Sequence, residues 1–386
     1  MSINEFFHRT KIVYGAGSVL KVGQEAVSLG AKKVLIVTDS FLSETSTMDK
    51  IKENLSKEKI EFEVYNEVKS NPRDVDCMKS AKMALDMEAN VIIGIGGGSS
   101  MDQAKATAIL VKNGGTCQDW EGVPLKNGML PTICIPTTAG TGSEVTFVAV
   151  ITDTKRKHKM SLWELGTIAA EVAIVDAELL ISLPPSLTAS TGVDALTHAI
   201  EAYTCKIGQP LTDVLALRAI ELISKSIVTA VEQGDNIEAR ENMMLGSMMA
   251  GIAFGNADVG AVHAISETIG GWYDTPHGVG NSIFLPYVME YNLPGNSKRY
   301  AEIARCLGVY TKGKTEEEIA LEGISKIKEL NKKVKIPTLK ELEYISPDKF
   351  DEIAEASARN MLSENNARAI DKAGYMKVLK AAYENN

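Results

Sequence analysis

The chain has 386 residues, room for two to three domains at about 150 residues each, which excludes a small disulfide module or a single compact bundle. Lys and Arg number 41 against 50 Asp and Glu, a net charge of −9, so there is no basic surplus to neutralise phosphates and nucleic acid is excluded as a partner. Hydrophobic residues at 45%, with 31 glycines and 12 prolines, sit near globular averages and predict a folded chain.

The opening MSINEFFHRTKIVYG lacks a basic region followed by an apolar run, so no export signal is read there. Short β-rich runs then alternate with helix-like stretches: KIVYG (11–15), VLIVTD (34–39), FEVYNEV (62–68), VIIGIGG (91–97), TICIPT (132–137), FVAVITD (147–153) and VAIVDA (172–177). Such alternation, with near-continuous apolar strands, predicts a parallel sheet covered by helices on both faces. Past Leu183-Pro184-Pro185-Ser186 the apolar positions recur every three to four residues, and the second half reads as all-helical. The boundary is placed near residue 182, giving an α/β dinucleotide-binding domain over 1–182 and a helical metal- and substrate-binding domain over 183–386. Leu245 to Val262, broken by Asn256 and Asp258, reads as one buried helix, and no segment is read as crossing a membrane. Five scattered cysteines without a CxxC pair predict reduced core thiols in a cytoplasmic protein.

VIIGIGGGSSMDQAKA runs from a strand through three glycines into a helix, the order needed to hold a diphosphate on backbone N–H groups and a helix N-terminus. It does not satisfy GxGxxG, and alone it is equally a tight strand-to-helix turn. PTTAGTGSEVT (136–146) supplies a second cradle of hydroxyls and glycines after another strand, and two cradles suggest one extended ligand. Asp39, at the end of VLIVTD, is suited to bond an adenosine ribose and repel a 2′-phosphate, which favours NAD over NADP; a helix-capping role is compatible with this.

Three of the five histidines, His198, His263 and His277, lie in the early helical half. Asp194 and His198 are four apart and share a helix face; His263 sits in an apolar stretch, and His277 in a Pro-His-Gly turn. One carboxylate and three imidazoles make a set suited to Zn²⁺ or Fe²⁺, and a Lewis acid held there would polarise a carbonyl.

GGGSSMDQAK, PTTAGTGSEVT, TGVDALTHAIEAY and TPHGVGN, in this order and spacing, resemble the iron-containing (group III) alcohol dehydrogenase family over essentially the whole chain. The resemblance implies an N-terminal dinucleotide-binding α/β domain, an all-α C-terminal domain, and NAD and a divalent metal in the cleft between them. It implies Asp194, His198, His263 and His277 as metal ligands, and cofactor contacts from Asp39, Asn71, Gly97, Gly98, Ser99, Thr138, Thr141 and Lys159. It further implies Fe²⁺, with Zn²⁺ as the alternative, a short primary alcohol or its aldehyde as substrate, and a homodimer or larger homo-oligomer formed through the N-terminal strands. Glycerol-dehydrogenase-like and dehydroquinate-synthase-like enzymes are the alternatives on a related scaffold.

Many relatives carry another histidine where this chain has Glu267. One turn after His263, Glu267 faces the same side of the helix. Three roles stay open: acceptor for a ligand imidazole, favoured because such imidazoles need a partner for their other N–H; a charge that selects substrate or assists proton transfer; or a tolerated replacement. Phe254, Trp272, Tyr273 and Trp163 are candidate pocket walls.

Overall fold

A computed structural model describes residues 3–384. The chain folds into two compact units. One comprises Phe7–Thr138 and Gly142–Leu183; the other comprises Pro184–Asn386, Ala139–Thr141 and the start of the chain through Phe6.

The first unit contains β1 (Lys11–Tyr14), α1 (Val22–Ser28), β2 (Lys33–Val37), α2 (Ser46–Lys57), β3 (Glu61–Tyr65), α3 (Asp74–Asp86), β4 (Val91–Gly96), α4 (Gly98–Asn113), β5 (Thr132–Pro136), β6 (Val148–Asp153), β7 (His158–Trp163) and β8 (Val172–Val175). Six strands form one parallel sheet in the order β1-β8-β5-β4-β2-β3. Alternate side chains serve opposite faces. Val34, Ile36, Ile93 and Ile95 pack with Val22 and Ala26 of α1 and Met48, Ile51 and Leu55 of α2. Leu35, Val37 and Ile92 pack with Ala84 of α3 and Ala104 and Ala108 of α4. Both faces are therefore dry, as the uninterrupted apolar runs required.

The chain steps from β2 to β3 in one direction and then returns to β4 on the far side of β2. That reversal creates a switch point between β2 and β4, the place where open α/β sheets offer a crevice beyond their strand ends.

FVAVITD does not join the parallel sheet. It forms β6, which pairs antiparallel with β7 in a separate two-stranded ribbon. The turn is made by Asp153, whose Oδ1 accepts from the backbone N–H of Lys155 at 2.9 Å and of Arg156 at 2.8 Å, and by Lys157 at a φ of 50°. Only alternate residues of this ribbon point inward: Ala149, Ile151, Met160 and Leu162 pack with Ala106 and Ile109 of α4.

The second unit is helical: α5 (Pro185–Thr204), α6 (Pro210–Glu232), α7 (Ile237–Ala257), α8 (Ala261–Tyr273), α9 (His277–Asn292), α10 (Ser297–Cys306), α11 (Glu316–Lys333), α12 (Phe350–Arg359) and α13 (Lys372–Glu384). Pro185 occupies the first position of α5, where its missing N–H costs nothing. The single helix expected over Leu245 to Val262 is two, α7 and α8, bent by 99°. Asp258 breaks it with a φ of 67°, held by hydrogen bonds from Val259 N–H at 2.8 Å and Asn365 Nδ2 at 2.5 Å. Among the described residues no single helix is long and apolar enough to cross a membrane. Cys77, Cys117, Cys134 and Cys205 are buried thiols, and burial pushes Cys134 and Cys205 up to about 12.

Candidate functional site

Asp194 and His198 project from one face of α5, His263 from the first turn of α8, and His277 from the first position of α9. Close approach of α9 to its neighbours rests on two glycines. A Cβ at Gly278 would lie 2.6 Å from the Ser190 carbonyl of α5, and one at Gly280 would collide with the Ser266 hydroxyl of α8. Glycine at both positions lets the helices meet, which brings one ligand atom from each of the four residues within 4.8 Å of all the others. Asp194, His198 and His263 are buried and His277 is partly exposed.

The protonation chemistry of the cluster suits a cation. Burial, then the charge of His263, holds His198 well below the usual imidazole range, which leaves it neutral with a lone pair to donate. Burial alone would lower His263 too, but the hydrogen bond and charge of Glu201, with the charges of Asp194 and Glu267, raise it. His263 Nδ1 lies 2.5 Å from Glu201 Oε2. Nδ1 therefore carries a hydrogen toward Glu201, and a cation in the cluster would take the Nε2 position in place of a proton.

Asn281, one turn after His277 on α9, places its Nδ2 at 2.7 Å from Asp194 Oδ1, 3.0 Å from His263 Nε2 and 3.2 Å from His277 Nε2. Three acceptors thus converge on a group with two hydrogens to give. Such a set is matched to a divalent cation.

Glu267 does not accept from His263, because Glu201 already occupies that position. Asp194, His198 and Glu201 follow at four and then three residues along α5 and share its face, so the acceptor arrives with the ligands. Glu267 Oε2 instead accepts from Asn360 Nδ2 at 3.0 Å, whose own Oδ1 caps the turn at Leu362 N–H at 3.0 Å. Glu201 was missed in the sequence, although its place one helical turn beyond His198 in THAIEAY could have pointed to it; Asn281, a neutral amide, gave no such signal. Phe254 stacks on the His198 ring at 4.4 Å. Tyr273 lies 6.5 Å from Trp272 and 6.0 Å from Tyr344 between ring centroids. Trp163 is exposed on β7.

In the α/β unit, Asp39, Gly97, Gly98, Ser99 and Thr138 all lie at the carboxyl ends of the neighbouring strands β2, β4 and β5. Gly97 caps α4, and Gly98 and Ser99 begin it, so their N–H groups have no partner within the helix. A Cβ on Gly97 would touch Thr138 Oγ1 at 3.4 Å, which puts the two cradles in contact. Asp39 Oδ1 caps Leu42 N–H at 2.9 Å, the compatible role foreseen for it. Asn71 follows β3, buried, at a φ of 54°. Lys159 lies on β7 opposite Thr152, and its charge acts on partly buried Asp102. Thr141 falls with the helical unit.

Helix α4 fastens the second cradle. Asp102 Oδ1 accepts from Ser143 Oγ at 2.6 Å, and its Oδ2 from Val150 N–H at 3.1 Å. Lys105 Nζ donates to the carbonyls of Ser143 at 2.5 Å and Val148 at 2.9 Å.

The sequence matches the profile of the iron-containing alcohol dehydrogenases over residues 9–177, and that of the C-terminal part of the Fe-containing alcohol dehydrogenase family over residues 188–383. The chain belongs to the iron-containing alcohol dehydrogenase family. It is 37% identical to a choline dehydrogenase of Bacillus subtilis (strain 168), covering 97% of this chain and 94% of the relative. Identity to an NAD-dependent methanol dehydrogenase of Bacillus methanolicus is 36%, over 98% and 100% of the two chains. The crystal structure of a 1,3-propanediol oxidoreductase superimposes with a TM-score of 0.96 at 34% identity, covering 99% of this chain and 100% of that one. Family membership selects the alcohol dehydrogenase over the two alternatives on a related scaffold, and it agrees with a parallel-sheet unit followed by a helical one.

Proposed function

We propose that this iron-containing alcohol dehydrogenase uses Asp194, His198, His263 and His277 to hold a divalent cation, and the strand ends of its α/β unit to hold NAD. The enzyme interconverts an alcohol and its aldehyde with NAD. The observation that carries the metal assignment is the convergence of four ligand atoms from three helices within 4.8 Å. Fe²⁺ follows from the family and Zn²⁺ from the ligand chemistry. When bound, the cation would supply Lewis acidity toward the substrate oxygen and NAD the hydride acceptor.

The protein's own groups prepare that chemistry. Glu201 fixes the tautomer of His263, desolvation keeps His198 unprotonated, and the Phe254 ring shields one face of His198 from water. Gly97, Gly98, Ser99 and Thr138 offer N–H groups and a hydroxyl to the diphosphate, and Asp39 faces the adenosine ribose. Asn71, Thr141 and Lys159 complete the proposed cofactor contacts. Glu267, whose carboxylate is anchored by Asn360 through Oε2, is assigned to substrate selection or proton movement; Glu267→Gln should alter substrate preference or the pH profile of kcat/KM. A result identical to the parent enzyme on both counts leaves it a tolerated replacement.

The substrate class we infer is a short primary alcohol. The names of the relatives, for choline, methanol and 1,3-propanediol, share a primary hydroxyl on a short chain. A homodimer through β1 is supported by its place at the sheet edge, hydrogen-bonded to β8 alone within the sheet, which leaves the other side open to strand addition. A cytoplasmic setting is inferred from the scattered cysteines. The decisive experiment is NADH oxidation against short aldehydes, with protein stripped of metal and reloaded anaerobically with Fe²⁺ or Zn²⁺. Restored turnover with one metal is expected; silence with both metals, despite NADH binding, would overturn the proposal.

A further inference from the structure

We propose that Asn281 is a positioning residue for the metal centre, whose amide holds the Asp194 carboxylate in its ligating orientation. The inference rests on the metal-site reading above and adds a group that is not one of the four ligands. Asn281 is fully buried, and its Nδ2 lies nearest Asp194 Oδ1, at 2.7 Å, with His263 Nε2 and His277 Nε2 at 3.0 and 3.2 Å.

The direction of this amide is fixed by its neighbours. Asp194 Oδ1, the nearest partner, can only accept, and with Nδ1 of His263 turned to Glu201 the Nε2 lone pair is the one left for a cation. Turning the amide over would set Oδ1 against a carboxylate and an imidazole lone pair. In the orientation adopted, Oδ1 is buried with no hydrogen-bond partner, and a buried polar group left unsatisfied is destabilising. A chain that tolerates such a loss on one end of a side chain gains from the other end. The gain here is a neutral donor that orients a buried carboxylate without adding a positive charge to repel the cation. Lysine or arginine in this place would supply the hydrogens but neutralise the field that attracts the metal, while leucine would fill the space and orient nothing.

The test compares the parent enzyme with Asn281→Leu, which keeps the approximate volume, and Asn281→Ala, which keeps the test open if leucine prevents folding. Both are checked for fold by circular dichroism and NADH binding. Dissociation constants for Zn²⁺ and Co²⁺ are measured by chelator competition, and the Co²⁺ absorption spectrum reports ligand geometry. The expected result is metal affinity weaker by about 10–100-fold, as for loss of groups that orient ligands, with an altered Co²⁺ spectrum and NADH binding preserved. Affinity within about twofold of the parent and an unchanged spectrum would overturn the role of Asn281 while leaving the metal site standing. Failure of the parent itself to bind Zn²⁺ or Co²⁺ would overturn both.

Discussion

The two units assemble polar sites from opposite materials. In the helical unit the candidate site consists of ionisable side chains taken out of water: Asp194, His198, Glu201 and His263 are all buried. At the strand ends of the α/β unit it consists of backbone N–H groups, glycines and short hydroxyls around Gly96, Gly97 and Thr138. A site of the first kind is damaged by deleting side chains; one of the second kind is damaged by adding atoms. The two should therefore be separable by mutation, metal binding following one and cofactor binding the other.

The largest expected effect is on the helical side. His263→Ala removes an imidazole that faces Asn281 Nδ2 on one side and Glu201 on the other. Loss of Lewis-acid assistance is worth several kcal/mol, so kcat should fall about 1,000-fold or more. Metal content measured by atomic emission should fall with it, while NADH affinity stays within about twofold of the parent value. Parallel loss of NADH binding would break the contrast between the units.

Glu144 is an exception to that contrast, a buried carboxyl inside the glycine-rich segment of the α/β unit. Burial, opposed by its backbone hydrogen bond and the Lys105 charge, lifts it from 4.5 to about 7. Its pKa is thus higher folded than unfolded, so the folded state binds this proton more tightly. The stabilisation is complete below about pH 4.5 and is lost as pH rises through about 7, a change of about 3 kcal/mol. Glu144→Gln, a neutral stand-in for the protonated acid, should be more stable than the parent above about pH 7 and should lack this loss. Urea-unfolding midpoints from about pH 5 to about pH 8 check it; superimposable pH profiles would show that Glu144 is not held protonated.

How far the sequence spoke depends on which of these materials carried the message. The parallel strands were legible because burial on both faces demands unbroken apolar runs such as VLIV and VIIGI. Asp194 and His198 were legible because a four-residue spacing projects both from one helix face. β7 was missed because HKMSLW buries only Met160 and Leu162, leaving its other residues to look like a solvated loop. The break between α7 and α8 was missed because an aspartate, rather than glycine or proline, takes the left-handed conformation at Asp258. Glu201 and Asn281 were missed for different reasons. Glu201 lies on the same helix face as two ligands, but Glu267 is as close to His263 in sequence as one helical turn allows and is the nearer acceptor on spacing alone. Asn281 is of a residue type whose role exists only when three acceptors converge on it.

A smaller effect tests the backbone cradle. Gly96 has a φ of 144°, and a Cβ there would collide with Ser100 of α4. Gly96→Ala should strain the turn and shift the start of α4 by a few tenths of an ångström, raising KM for NADH about tenfold. Metal content should not change. Loss of metal in this variant would mean that the two sites are not independent.

The smallest effect separates the two functions of one residue. Asp39 Oδ1 caps Leu42 N–H, and its charge is the proposed barrier to a 2′-phosphate. Asn is as good a cap as Asp, so Asp39→Asn keeps the local turn while removing the charge. The ratio of kcat/KM for NADPH to that for NADH should rise about tenfold, a change of about 1.4 kcal/mol, with the thermal midpoint unchanged. If the midpoint falls and the ratio does not move, the carboxylate serves the turn alone, and preference for NAD must come from elsewhere along the strand ends.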